Sequence, residues 1–238
     1  MNALLITGTD TRVGKTWVGR ALGTVLAGAG RRVVAIKPVE TGCSDATALL
    51  EDGALLAAAT GQAEPLAALH RFAAPLAPAL AAEAEDQAID LDALILRIEA
   101  LSMGADLVLV EGTGGLLAPI TWEWTVVELA RTLGAAALVV GVDRLGTINH
   151  TLLTLSALEL AGLEVAGVVL TAPETPDAST GTNAGAIARL GGLERVISLP
   201  RSSDPAAAAR DVAPVVEWVT AAAAPPSPSG ILPDASGS

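Results

Sequence analysis

The residues best suited to chemistry stand near the start of the chain. Gly8-Thr9-Asp10-Thr11-Arg12-Val13-Gly14-Lys15-Thr16 separates an apolar run from an amphipathic stretch. Backbone N–H groups and a helix N-terminus would converge on an anion at such a junction. Lys15 would then reach the terminal phosphates of a nucleotide, and the Thr16 hydroxyl would meet the magnesium ion that bridges them. Five residues separate Gly8 from Gly14, one more than the usual phosphate loop has, and Thr9 stands where that pattern has glycine, so the loop is a variant.

Other charged residues follow apolar runs. Lys37 precedes Pro38 at the end of the second run, where α/β proteins gather ligands, and invites an anionic substrate; the plainer reading is a solvated lysine. Glu111 ends the run at 107–110 and is followed by Gly112 and Gly114-Gly115, which let backbone approach a ligand closely. Its carboxylate suits magnesium, the alternative being a structural or capping role. Asp52 precedes the apolar stretch 54–59 and is as able to cap that helix as to bind metal. His70 and His150, the only histidines, have no partners at ligand spacing, which speaks against zinc or a catalytic triad. The single Cys43 forms no internal disulfide and builds no thiolate metal site; it reads as a small filler.

These residues need strands and helices to hold them. Residues 3–6 (Ala-Leu-Leu-Ile) form a continuous apolar run, as a strand buried on both faces does. Val18, Ala21, Leu22, Val25 and Leu26 then recur on one helical face, which Gly28 and Gly30 end. Similar runs at 33–36, 107–110, 137–140 and 165–170, with helical stretches between most of them, predict an α/β fold, a parallel sheet flanked by helices on both faces. The segment 45–101, rich in Ala and Leu and broken by Pro65, Pro75 and Pro78, is expected to form helices and loops rather than strands. One domain over 1–220 accounts for the chain, and 221–238 reads as a disordered Ala/Pro/Ser-rich tail.

Composition narrows the partners. Fourteen Lys+Arg against 26 Asp+Glu give a net charge of −12, which repels nucleic acid and anionic membranes. No apolar run approaches the ~18 residues of a membrane span, and no basic leader precedes the first strand. The expectation is a soluble cytoplasmic enzyme acting on small molecules.

Four stretches in order carry a more specific likeness: the loop from Gly8 to Thr16, Lys37-Pro38-Val39-Glu40-Thr41-Gly42, Val110-Glu111-Gly112-Thr113-Gly114-Gly115 and Leu145-Gly146-Thr147-Ile148-Asn149-His150-Thr151. Together they resemble the dethiobiotin synthetase family over residues 1–170, and the longer loop spacing is the one that family uses. The resemblance implies a single P-loop NTPase-like domain that uses ATP and Mg2+. It implies closure of a ureido ring on diaminopelargonic acid with CO2, in biotin synthesis. Gly8, Thr9, Asp10, Thr11, Arg12, Val13, Gly14, Lys15 and Thr16 would bind the nucleotide, with Glu111 and Pro200. Thr11, Lys15 and Lys37 would serve catalysis, and Thr16, Asp52 and Glu111 would hold magnesium. Lys37 and Thr41 would meet the diamine, whose carboxylate tail would be held by Gly146, Thr147 and Asn149 of a second subunit, so a homodimer is implied.

Some residues depart from that pattern. Arg12 stands where several relatives have an acidic residue, and Thr171-Ala172-Pro173 replaces the Asn-Asp that many use to read adenine, which weakens the expected discrimination among nucleotides. The chain has no tyrosine. Two alternatives remain, one sharing the loop architecture and the other the fold. A partition or septum-positioning ATPase would carry a second lysine near the loop's start, where this chain has Thr9, Asp10 and Thr11. A cobyrinic acid amidating enzyme would need room for a glutamine-hydrolysing domain with a nucleophilic cysteine.

Overall fold

The computed structural model describes residues 1–223. Along the chain run β1 (Ala3–Gly8), α1 (Lys15–Gly28), β2 (Val33–Ile36), β3 (Val39–Thr41), a 3-10 turn (Asp45–Leu50), α2 (Asp52–Thr60), β4 (His70–Phe72), α3 (Pro78–Ala84) and α4 (Leu91–Ser102). They are followed by β5 (Leu107–Gly115), α5 (Val126–Leu133), β6 (Ala136–Val142), α6 (Thr147–Leu160), β7 (Val165–Thr171), α7 (Asn183–Gly191), β8 (Val196–Leu199), α8 (Pro205–Asp211) and α9 (Ala213–Ala222).

Six strands form one parallel sheet in the order β2-β5-β1-β6-β7-β8. Alternate residues of each strand point to opposite faces. Ala3 and Leu5 therefore join the core under α4, α5, α6 and α7, while Leu4 and Ile6 join the core under α1, α2, α8 and α9. Both faces are covered, which is why these strands read as unbroken apolar runs. The chain leaves β1 toward β2 on one side, and β6 pairs with β1 on the other. The loop after β1 thus opens at the switch point of the sheet, where ligands bind in α/β folds.

Three strands, β3, β4 and β8, were not among the expected ones. β4 lies inside the segment expected to hold only helices and loops, and pairs with β3 in a separate two-stranded parallel sheet. Three residues are too few to show a period of two, and the pairing is set by tertiary contact. β8 is short, sits at the sheet edge and is only partly buried, so it lacks the continuous apolar run of the central strands. Of the Ala/Pro/Ser-rich tail, Ala221 and Ala222 close α9, and 224–238 lie outside the described residues.

Candidate active site

The phosphate loop joins β1 to α1 across one sharp turn. Gly14 takes φ 99°, a left-handed conformation that glycine adopts without the steric cost of a side chain, and hands the chain to α1. The first N–H groups of α1 have no acceptor within the helix, so they and the positive end of its dipole face outward to an anion. Thr9 N–H donates to Val140 O on β6 at 2.9 Å, and Thr11 N–H to Asp10 Oδ1 at 2.7 Å. Arg12, at φ 56°, directs its carbonyl to the Arg201 guanidinium, 3.1 Å away.

Lys15 opens α1 and is nearly buried, its Nζ donating to Asp10 O at 3.1 Å. Burial first, and the positive charge of Lys37 second, lower its pKa to about 8. An anion beside it would raise that pKa again, so the loop carries a cation that gains by meeting phosphate.

Thr16, Asp52 and Glu111 come together from three elements. Thr16 Oγ1 is 2.7 Å from Asp52 Oδ1 and 2.9 Å from Glu111 Oε1. A hydroxyl has a single proton to donate, so it satisfies one carboxylate fully at most. Glu111 Oε2 is buried without any hydrogen-bond partner. Adjacent ligands of an octahedral magnesium, at ~2.0–2.1 Å from the ion, stand roughly 3 Å apart. These hard oxygen donors at such separations fit magnesium in both chemistry and spacing.

Lys37 lies against the same carboxylates, its Nζ 2.6 Å from Glu111 Oε1 and 2.9 Å from Asp52 Oδ2, with only 3% of the residue exposed. Burial alone would lower its pKa, but the charges of Glu111 and Asp52 outweigh that and hold the ammonium above the usual lysine value. Asp52 is likewise kept low by Lys37 against its own burial. The Lys37 reading as a solvated strand-end lysine is thereby excluded. Asp52 is the first residue of α2, and its side chain serves the site instead of capping the helix.

A cavity of about 910 Å³ contains these groups and is lined also by Thr11, Arg12, Gly14, Thr41 and Arg201. Gly8, Thr9 and Asp10 instead line a smaller groove of about 360 Å³ with His150 and Leu153 of α6. Gly146, Thr147 and Asn149 open α6 outside the large cavity. Asn149 is exposed, and Thr147 is buried with an unpartnered hydroxyl. Pro200 is exposed beside Arg201 and does not line the large cavity.

Sequence reasoning missed two residues. Arg201 follows the unanticipated β8, so nothing marked its position. Glu40 stood inside the stretch from Lys37 to Gly42, but only the fold shows it lining the cavity. The Thr171 departure also gains an explanation: its fully buried hydroxyl is 2.8 Å from Val13 O and 3.3 Å from Gly141 O, so it braces the phosphate loop and is unavailable to a base.

Phosphate-loop geometry at the switch point of a parallel sheet, with two lysines and a magnesium-type oxygen set in one cavity, defines a nucleotide-binding enzyme of the P-loop NTPase class. Residues 2–209 match the family described as an AAA domain. The chain is 44% identical over 225 residues to the ATP-dependent dethiobiotin synthetase BioD of Anaeromyxobacter dehalogenans (strain 2CP-C), covering 91% of this chain and 97% of that one. It is 42% identical over 231 residues to the protein of the same name from Mycobacterium avium (strain 104), covering 94% and 100%. The chain belongs to the ATP-dependent dethiobiotin synthetase family. The cell division ATPase MinD of Pyrococcus furiosus superposes with a TM-score of 0.55 at 17% identity, covering 92% of this chain and 98% of that one, a likeness of fold alone.

Proposed function

We propose that this enzyme uses ATP and Mg2+ to close the ureido ring of dethiobiotin from diaminopelargonic acid and CO2, releasing ADP and phosphate. The observation that carries this reading is the convergence of Lys15, Lys37, Thr16, Asp52 and Glu111 in one cavity. No nucleophilic side chain is needed. One amine of the diamine adds to CO2 and gives a carbamate. A carbamate oxygen attacks the γ-phosphorus and ADP leaves; the second amine then attacks the carbamate carbon and phosphate leaves.

Both reacting groups are anionic, so the protein's task is charge stabilisation and alignment. Lys15 would lie along the β- and γ-phosphates. Lys37, whose charge is secured by its carboxylate neighbours, would meet the carbamate, and Thr41 the diamine. A magnesium ion held by Thr16, Asp52 and Glu111 would neutralise charge on the phosphates. Thr11, Arg12 and the loop backbone would hold the nucleotide, with Pro200 and Arg201 at its outer edge.

The site would be completed in a homodimer. Gly146, Thr147 and Asn149 lie on a helix N-terminus, a natural carboxylate site, yet open outside their own chain's cavity. That placement supports their serving a second subunit's diamine. Among the described residues no helix is long and apolar enough to cross a membrane, consistent with an enzyme working in the cytoplasm.

The test is phosphate release from ATP with each substrate omitted in turn. Release should require both diaminopelargonic acid and bicarbonate. Hydrolysis of equal rate without the diamine would overturn the assignment.

A further inference from the structure

The small β3–β4 sheet has a position that the reaction scheme does not explain. Glu40 is the middle residue of β3 and pairs with Arg71 of β4. Although acidic, Glu40 is only 7% exposed. Its Oε1 accepts from Asp52 N–H at 2.5 Å and its Oε2 from Gly53 N–H at 3.0 Å. These are the first two N–H groups of α2, and the helix's own N-cap residue, Glu51, supplies no side-chain cap to them.

Glu51 is held elsewhere: Arg71 Nε and Nη2 donate to its two carboxylate oxygens at 2.7 and 2.8 Å, and Ser44 N–H donates to it at 3.1 Å. A Cβ on Gly53 would come within 2.3 Å of Ala68 N, so the first turn of α2 is pressed directly against the 67–68 backbone. Three restraints thus fix the main chain at Asp52. A carboxylate at a helix N-terminus is favoured by the exposed donors and the dipole, but an ordinary cap belongs to the adjacent chain. In this protein it comes from β3, the strand that follows Lys37 and ends on Thr41.

We propose that Glu40 is a positioning residue for Asp52: by holding the Asp52 and Gly53 N–H groups it aims the Asp52 carboxylate at the Thr16 and Glu111 oxygens, and so tunes magnesium affinity. The proposal rests on the reading of Asp52 as a magnesium ligand. Both Glu40 carboxylate oxygens are engaged by the α2 N–H groups, so its effect on the metal would run through Asp52. Partners that orient a ligand in this way are typically worth about 10- to 100-fold in metal affinity. The β3–β4 pair thereby acts as a bracket that couples the substrate-facing strand to a metal ligand.

The experiment is a titration of the full chain with Mn2+, followed by its electron paramagnetic resonance signal, in the presence of a saturating non-hydrolysable ATP analogue. The proteins are wild type, Glu40→Gln, Glu40→Ala, Asp52→Asn and Glu40→Gln/Asp52→Asn. Glu40→Gln keeps shape and removes one acceptor, so it should fold normally even if Glu40→Ala does not. Its Mn2+ affinity should fall about tenfold, while affinity for the analogue without metal stays within a factor of about two. The double variant separates aim from charge. If Glu40 acted only as a nearby negative charge, its loss would weaken Mn2+ binding to the same degree when Asp52 is already Asn. If it acts through Asp52, Glu40→Gln should add little in that background. An undiminished further loss in the double variant, or wild-type affinity in Glu40→Gln while Asp52→Asn binds weakly, would overturn the proposal. Unaltered Mn2+ affinity in Asp52→Asn itself would instead remove the metal reading on which it rests.

Discussion

Individual side chains in this protein are defined by what surrounds them. Lys15 and Lys37 were both visible in the sequence, but their difference was not: burial lowers the pKa of one to about 8, and two carboxylates hold the other above the usual lysine value. Cys43 shows the same dependence. Burial first, then the charges of Glu51 and Glu40, push its thiol up to about 11 from an ordinary 9.0. Only the thiolate reacts with disulfide reagents, so this rise leaves about 100-fold less reactive thiolate at pH 8. A higher pKa also makes each thiolate a better nucleophile, which offsets part of that loss, so the native chain should react with a chromogenic disulfide at pH 8 about tenfold more slowly than the unfolded chain. Equal rates in the two states would mean that Cys43 is neither buried nor surrounded by negative charge.

The helices and strands divide by how local their causes are. The central strands could be read because burial on both faces forces continuous apolar runs, and α1 because its apolar face repeats at helical spacing. β3, β4 and β8 escaped because each is short and fixed by partners distant in sequence. The proposed magnesium set splits in the same way: Thr16 and Glu111 stood out from their flanking pattern, whereas Asp52 needed the fold to show that its side chain faces Thr16 and Lys37 and does not cap α2. Helix α5 carries its own start signal: Thr125 caps it and Glu128 reaches back to the Thr125 N–H at 2.7 Å. Thr125→Ala should cost about 1 kcal/mol, lowering Tm by about 2–4 °C in a chain of this size. A calorimetric scan with unchanged Tm would show that tertiary packing, not the cap, fixes the start of α5.

The molecule as a whole carries a net charge of −12, yet its large cavity gathers Arg12, Lys15, Lys37 and Arg201 against Glu40, Asp52 and Glu111, so positive charge is collected where a small anionic substrate would bind. Its α6 N-terminus opens away from the large cavity, which the sequence could suggest only through family resemblance. Lys15→Ala should weaken ATP binding by ~10- to 150-fold, the loss of a charge-assisted contact. Asn149→Ala should spare ATP and weaken diamine binding by a similar factor of ~10- to 150-fold. If the pocket is shared in a homodimer, as proposed, the two inactive or impaired variants should regain activity when mixed after subunit exchange, because one pocket of a mixed dimer would receive both intact residues. No gain over either variant, with exchange confirmed by native mass spectrometry, would confine Asn149 to its own chain.

The chemistry leaves an isotopic trace that tests it most directly. With C18O2 as the carbon source and unlabelled ATP in a single turnover fast enough to limit exchange with water, the carbamate carries two labelled oxygens. One attacks the γ-phosphorus and departs with it when the second amine closes the ring, and the other remains as the ureido carbonyl. Mass spectrometry should find one 18O in the released phosphate and one in dethiobiotin. Ring product formed alongside phosphate that has taken its new oxygen from water would contradict phosphoryl transfer to the carbamate, and with it the central role of the lysine-lined cavity.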